Sequence, residues 1–173
     1  MRLTIIGSSG GGKSTLSRKI SRTFNVPRLE IDRIWFTYGG HRNVNGAPQQ
    51  KEIIAQQIES EVRAFLSVNE HWVIDGTYSK LQPIIAEKAD TVILIKRPLP
   101  QRIWSHILRV LHDTDRHPEI TRLQDLNFTK TIIRRWRNKE NAKLDEFSKT
   151  YQEKLVVLKS FKEIDTYFSS LSK

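Results

Sequence analysis

The residues Gly7–Ser14 constrain this chain most, because four glycines fall among eight residues between an apolar run and an amphipathic segment. They read G-S-S-G-G-G-K-S and match the pattern G-x-x-x-x-G-K-[ST] in full. The apolar residues of Arg2–Ile6 favour a short buried strand before the loop. A helix is expected from Lys13, because apolar residues recur on one face at Leu16, Ile20 and Phe24.

A glycine-rich loop between a strand and a helix is suited to holding phosphate groups. Glycines let the backbone wrap closely around an anion, and the following helix presents its N-terminus to it. In this pattern the lysine, Lys13, reaches the β- and γ-phosphates, and the hydroxyl of Ser14 ligates Mg²⁺. We therefore expect ATP with Mg²⁺ to bind at Gly7, Ser8, Ser9, Gly10, Gly11, Gly12, Lys13, Ser14 and Thr15.

Strand-like and helix-like segments alternate along the whole chain, which favours an α/β fold with a five-stranded parallel sheet and helices on both faces. The predicted strands are Arg2–Ile6, Arg28–Ile31, His71–Asp75, Thr91–Ile95 and Leu155–Leu158. Helices are expected from Lys13, from Pro48, over Leu81–Glu87, Pro98–Leu111 and Leu123–Lys149, and over Phe161–Leu171. The pattern predicts one domain over residues 1–173, with a lid insert at about 99–125.

Two aspartates follow predicted strands, where open parallel sheets bind their ligands. Asp75 precedes Gly76 and suits the Mg²⁺ shell, although an aspartate before glycine also starts turns. Asp32 could take the proton of an acceptor hydroxyl, or it could be a solvated loop residue or a helix cap. Trp35 and Phe36 could line an acceptor pocket or pack in the core.

Arginines in the predicted lid could surround the phosphates during transfer. Arg102, His106 and Arg109 share one face of a predicted helix, and Arg116 follows in a polar loop. The alternative is a solvated basic face. His106 is better explained by packing or surface exposure than by catalysis.

Charge and composition limit the possible partners without selecting one. The net charge of +10 favours anionic partners. Nucleic acid is a possible one, through the basic residues around Trp136, which are Lys130, Arg134, Arg135, Arg137 and Lys139. The absence of cysteine excludes disulfides and thiolate metal sites, and no run approaches the ~20 apolar residues of a membrane span. We expect a cytoplasmic protein that does not contact membranes.

In its motifs the chain resembles the topology modulation protein group, a branch of the adenylate-kinase-like P-loop kinases. The resemblance rests on Gly7–Thr15, Ile31–Trp35, Trp72–Ser79 and Ala89–Ile93. It implies a core of the nucleoside-monophosphate-kinase type and a lid after the fourth strand. It also implies that Arg102 stacks on adenine, and that Arg109 or Arg116 clamps phosphates.

Two departures from adenylate kinases count against AMP as the acceptor. Thr77 and Tyr78 stand where an arginine would bind the monophosphate, and Lys96 replaces an acidic residue. Three functions follow from the sequence. The first is an ATP-dependent small-molecule kinase, the second a nucleic-acid-binding protein switched by ATP and affecting DNA topology, and the third a nucleotide-binding regulator without significant turnover.

Overall fold

The predicted five-stranded parallel sheet with helices on both faces is confirmed. The structure, a computed structural model, describes residues 1–39, 48–76, 80–112, 129–134 and 140–171. The strand order is β2-β3-β1-β4-β5, so the strand before the glycine-rich loop is central. The strands are β1 (Arg2–Gly7), β2 (Arg28–Glu30), β3 (Trp72–Asp75), β4 (Thr91–Ile95) and β5 (Leu155–Leu158).

The helices follow the predicted pattern closely, and one further helix, α2 (Ile31–Thr37), directly follows β2. They are α1 (Lys13–Phe24), α2 (Ile31–Thr37), α3 (Pro48–Val68), α4 (Gln82–Lys88), α5 (Leu99–Leu111), α6 (129–134), α7 (Glu140–Thr150) and α8 (Phe161–Leu171). A short 3₁₀ turn, Gln152–Lys154, precedes β5. The long helix predicted over Leu123–Lys149 is described only at α6 and α7. Most of the predicted lid beyond His112 lies outside the described residues, so the lid stays a prediction.

The prediction that β2 extends to Ile31 and ends at Asp32 was wrong. The strand ends at Glu30, whose backbone is still extended (φ −104°, ψ 103°), and α2 begins at the next residue. Ile31 and Ile34 are buried one helical turn apart, so burying both favours a helix over a longer strand. Gly76, directly after β3, allows the first turn of α2 to approach its backbone. A Cβ on Gly76 (φ +140°) would lie 2.8 Å from the Cβ of Ile31.

One compact unit comprises Met1–Ile6 and Ser14–Ile93. Within it β3 pairs in parallel with β1 and with β2, and Glu30 lies opposite Asp75 in the register. Its apolar core is formed by α2, α3, α4 and β3, and contains Ile31, Ile34, Ile54, Ile58, Val62, Leu66, Trp72, Ile74, Leu81, Ile85 and Ala89. This core holds the ends of β2 and β3 side by side.

The other compact unit comprises Gly7–Lys13 and Leu94–Lys173. The backbone N–H of Lys96 donates to the carbonyl of Leu158 at 2.9 Å, at the end of β5. Val110, Ile132, Leu144 and Ile164 are buried on its helices. No helix in the described part of the chain is long and apolar enough to cross a membrane.

Candidate active site

The glycine-rich loop follows β1 and packs against the first turn of α5, within the unit formed by Gly7–Lys13 and Leu94–Lys173. Gly10 has a φ of +76°, and a Cβ added there would lie 2.8 Å from the carbonyl oxygen of Arg102. Only glycine combines this left-handed backbone with so close an approach. The pattern therefore has a structural reason at this position, because the loop is held against a helix backbone.

Three buried cationic side chains donate to carbonyl groups of the loop. Lys13 Nζ lies 3.4 Å from the Ser8 oxygen, Arg102 Nε 2.8 Å from the Ser9 oxygen, and Arg97 Nη1 3.3 Å from the Gly11 oxygen. All three side chains are at most 7% exposed.

These contacts also fix where the N–H groups of the loop point. All peptide bonds in the described residues are trans, so a carbonyl and the N–H that follows it point in opposite directions. Each bound carbonyl therefore turns the N–H of the next residue, which is Ser9, Gly10 or Gly12, away from the cation that holds the carbonyl. Successive N–H groups that point one way form an anion-binding surface.

Arg97 is a candidate site residue that the sequence analysis missed. Its guanidinium also donates to the Gln101 carbonyl at 3.2 Å and to Ser105 Oγ at 3.1 Å, and it lies 3.5 Å from the ring centre of Phe161. No carboxylate pairs with it among the described residues. Burial, and then the positive charge of Arg102, lower the pKa of Arg97. A buried cation without a carboxylate is costly, so its position on a phosphate-type loop indicates an anionic ligand.

A polar cluster of Ser14, Ser17, Arg28, Glu30 and Asp75 lies in the unit that contains Ser14–Ile93. Ser14 Oγ donates to Asp75 Oδ2 at 2.8 Å and lies 3.3 Å from Glu30 Oε1. Ser17 Oγ donates to Asp75 Oδ1 at 2.6 Å. The predicted partners Ser14 and Asp75 are therefore in direct contact. Glu30, the last residue of β2, joins them through Ser14 and Arg28.

The carboxyl of Asp75 is almost fully buried, and burial raises its pKa. The charge of Arg28 and the hydrogen bond from Ser17 oppose that shift, whereas the charge of Glu30 adds to it. A nearby cation stabilises the ionised form of a carboxyl group that is buried in this way.

The residues present fit a nucleotide phosphate and a divalent cation. The carbonyl-anchored loop suits a phosphate, and the donor set of a serine hydroxyl and two carboxylates suits Mg²⁺, which prefers oxygen ligands. Among the described residues no group of three or more acidic, histidine or cysteine side chains forms a metal cluster. Mg²⁺ typically binds through one or two carboxylates together with substrate phosphates, so the cluster is consistent with a metal that enters with a nucleotide.

A small cavity of about 260 Å³ opens next to this cluster, at the end of β2. It is lined by Arg28, Leu29, Glu30, Arg33, Ile34, Thr37 and Glu61. Glu61 accepts a hydrogen bond from the hydroxyl of Tyr38. Asp32, Trp35 and Phe36 are not among the lining residues. Trp35 packs partly buried against the apolar core, as the alternative for the aromatic residues proposed.

The other predicted site residues lie at varied depths. Asp32 and Thr15 are exposed, each in the first turn of its helix. Arg109 is half-buried, and its Nη2 lies 3.0 Å from Nδ1 of the buried His106. The burial of His106 agrees with a packing role. The face of α5 that carries Arg102 and His106 is buried, so the expectation of a solvated basic face does not hold there.

Several predicted residues lie outside the described part of the chain. These are Arg116, Thr77, Tyr78 and most of the basic patch around Trp136. Lys130 and Arg134 of that patch are exposed on α6. Lys96 forms an ion pair of 2.6 Å with Asp145 on α7.

Comparison with known proteins supports the fold and leaves the activity open. No protein-family model matches the chain, and no curated protein matches it. Its structure is similar to that of a shikimate kinase from Bacteroides thetaiotaomicron, with a TM-score of 0.55 and 14% identity over 99% of this chain and 96% of that chain. It is also similar to TT1252 from Thermus thermophilus, with a TM-score of 0.55 and 14% identity over 98% and 95% of the two chains. The comparison therefore shows that this chain shares its fold with these two proteins.

Proposed function

We propose that this protein is an ATP-dependent small-molecule kinase that transfers the γ-phosphoryl group to a hydroxyl- or phosphate-bearing metabolite. The observation that carries the proposal is the set of buried cations, Lys13, Arg97 and Arg102, bound to the carbonyls of the glycine-rich loop. Phosphoryl transfer depends mainly on positioning and on charge neutralisation, and a loop built in this way supplies both.

The residues take distinct roles in this proposal. Lys13 and Arg97 neutralise phosphate charge, the N–H groups of the loop orient the phosphates, and Arg102 holds the loop on α5. Ser14 and Asp75 would hold Mg²⁺, which would offset the negative charge of the phosphates. Lys13 and Ser14 are consecutive, so the cation that reaches phosphate and the hydroxyl that reaches the metal are joined by one peptide bond. Arg109 and Arg116 are proposed to complete the lid.

The acceptor is proposed to bind in the cavity at the end of β2. Its volume of about 260 Å³ suits a small metabolite, and its lining contributes arginines and carboxylates. Such a lining favours an acceptor that carries hydroxyl groups together with an anionic group. Because Glu30 lines the cavity and contacts Ser14, we propose that it takes the acceptor proton, the role that the sequence suggested for Asp32. A similar fold occurs in a shikimate kinase, which supports including hydroxylated carboxylic acids among the candidates.

The placement in the topology modulation protein group is part of this proposal. It rests on the motifs Gly7–Thr15, Ile31–Trp35, Trp72–Ser79 and Ala89–Ile93. Lys96, which stands where adenylate kinases have an acidic residue, forms an ion pair with Asp145. We therefore do not expect AMP to be the preferred acceptor.

The proposal is tested by measuring ADP release from Mg²⁺-ATP in the presence of nucleoside monophosphates, nucleosides and small hydroxy acids. We expect at least one class to raise ADP release well above the rate without acceptor, and Lys13→Ala to abolish that increase while the fold is retained. Slow ATP hydrolysis that no acceptor stimulates would favour the nucleotide-binding regulator. Stimulated transfer that persists undiminished in Lys13→Ala would exclude the assignment of the loop.

A further inference from the structure

The guanidinium of Arg28 lies between two carboxylates, at the place where a cation would be expected. Its Nε lies 3.0 Å from Asp75 Oδ1 and 2.7 Å from Ser17 Oγ, and its Nη2 lies 2.9 Å from Glu30 Oε2. The Arg28 side chain is 16% exposed and that of Asp75 is 1% exposed. The pair with Glu30 lies within β2, whereas the contacts with Asp75 on β3 and Ser17 on α1 are brought about by the fold.

Three of the four carboxylate oxygens in this cluster have a hydrogen-bond donor, and the fourth lies near the Ser14 hydroxyl. Asp75 Oδ1 accepts from Ser17 and Arg28, and Asp75 Oδ2 accepts from Ser14. Glu30 Oε2 accepts from Arg28, and Glu30 Oε1 lies within hydrogen-bond distance of Ser14. A divalent cation would need some of the same oxygens. It would also approach a fixed positive charge a few ångströms away, where repulsion is strong because the site is largely buried.

We propose that Arg28 is a built-in counter-ion that satisfies Asp75 and Glu30 in the metal-free protein and prevents a divalent cation from binding there alone. This inference rests on the proposed function, in which Ser14 and Asp75 hold Mg²⁺. The metal then binds only together with the nucleotide, because the phosphates supply the negative charge that two carboxylates and one arginine lack. Binding of the metal and of the nucleotide are therefore coupled through this arginine.

The experiment measures divalent cation binding to the nucleotide-free protein. Mn²⁺ titrations followed by paramagnetic resonance, and Mg²⁺-dependent thermal unfolding at constant ionic strength, are applied to the wild type, Arg28→Gln, Arg28→Lys and Arg63→Gln. Arg63 is a suitable control because it is exposed on α3 and pairs with Glu59 one turn earlier. Its substitution removes the same charge from a residue outside the cluster of Arg28, Glu30 and Asp75.

We expect the wild type, Arg28→Lys and Arg63→Gln to bind Mn²⁺ weakly, with melting temperatures that Mg²⁺ does not change. Arg28→Gln should melt at a lower temperature in chelator, because two carboxylates lose their counter-ion. It should recover with Mg²⁺ but not with Na⁺, and bind Mn²⁺ at least tenfold more tightly than the wild type.

Two results would overturn the inference. One is Arg28→Gln with the Mn²⁺ affinity of the wild type. The other is a wild-type protein that binds Mn²⁺ without nucleotide as tightly as with it, a result that needs no variant to fold. These measurements follow the binding of the metal, without nucleotide or with nucleotide bound, and do not involve phosphoryl transfer. Their outcome is therefore independent of the kinase assay. A metal result as expected with no phosphoryl transfer to any acceptor would exclude the proposed function alone.

Discussion

Replacing Arg97 with methionine tests the proposed phosphate site most specifically. The substitution keeps a long side chain against Phe161 and removes the charge and the hydrogen bond to the Gly11 carbonyl. A hydrogen bond to a charged group contributes about 1.5–3 kcal/mol. Because Arg97 also holds the loop through the Gly11 carbonyl, we take the lower part of that range, about 1.5–2 kcal/mol, for its lost interaction with the bound phosphate. The KM for ATP should therefore rise by about 10–30-fold.

Stability should respond differently from ATP binding. The wild-type protein buries the Arg97 guanidinium at 4% exposure, without a carboxylate partner in the described part of the chain. Removing a poorly compensated buried charge is often neutral or stabilising. We therefore expect the melting temperature of Arg97→Met to stay the same or to rise.

Steady-state kinetics over ATP concentration, together with thermal unfolding, separate these effects. Lys162→Met is the matched control, because Lys162 is exposed on α8 in the same compact unit and its loss removes the same charge. The control should leave both the KM and the melting temperature unchanged. A folded Arg97→Met protein with the wild-type KM for ATP would refute the reasoning, since Arg97 would then serve the fold alone.

Three further substitutions test the loop, the core and an ion pair. Gly10→Ala places a methyl group 2.8 Å from the Arg102 carbonyl oxygen, at a left-handed φ that costs about 1–2 kcal/mol in backbone strain alone. Calorimetry should therefore show at least about tenfold weaker ATP binding. An unchanged affinity would contradict the loop geometry. Ile58→Ala removes a fully buried side chain and should lower the free energy of unfolding by about 2–5 kcal/mol in urea titrations, whereas Ile53→Ala, at 54% exposure, should change it by less than about 0.5 kcal/mol. Hydrogen bonds from Arg2 lower the pKa of Asp90 in the folded protein below its ordinary 3.8. This carboxylate therefore stabilises the fold above pH 3.8, and the stabilisation is lost as the pH falls through the lowered pKa of the folded state. Urea titrations should therefore show Asp90→Asn to be less stable than the wild type at neutral pH, with a difference that vanishes in strong acid; a difference constant with pH would argue against the ion pair.

The sequence predicts the strands and the loop well, because their signals are local. The apolar run before Gly7, the glycines, and the spacing of Leu16 and Ile20 lie within about one strand and one helix of each other. The contact between Ser14 and Asp75 was also within reach, because parallel strands bring their carboxyl ends to one edge of the sheet.

The helix after β2 was not predictable from local pattern alone. Ile31 and Ile34 fit a short helix or the end of a strand equally well, and burial against β3 decides between them. Asp32 consequently moves into an exposed helical turn, while Glu30 takes the position at the end of the strand.

The two arginines were missed because their partners are distant in sequence. Arg28 contacts Asp75 47 residues later, and Arg97 contacts Gly11 86 residues earlier. A charged residue at the start of a strand, or just after one, is usually solvated. Only the contacts in the folded protein distinguish Arg28 and Arg97 from such solvated residues. A usable signal existed for Arg97, which lies two residues after the apolar run of β4, near the carboxyl end of a parallel strand.

In the proposed function the protein passes the terminal phosphoryl group of ATP to a small acceptor. Phosphorus NMR of the protein with Mg²⁺-ATP and a mixture of hydroxylated and phosphorylated metabolites tests it most directly. We predict that the γ-phosphate signal is lost while ADP and a new phosphoester signal grow in parallel, and that Lys13→Ala shows neither change. An ATP signal that persists with every acceptor, or one that yields only inorganic phosphate, would contradict the claim.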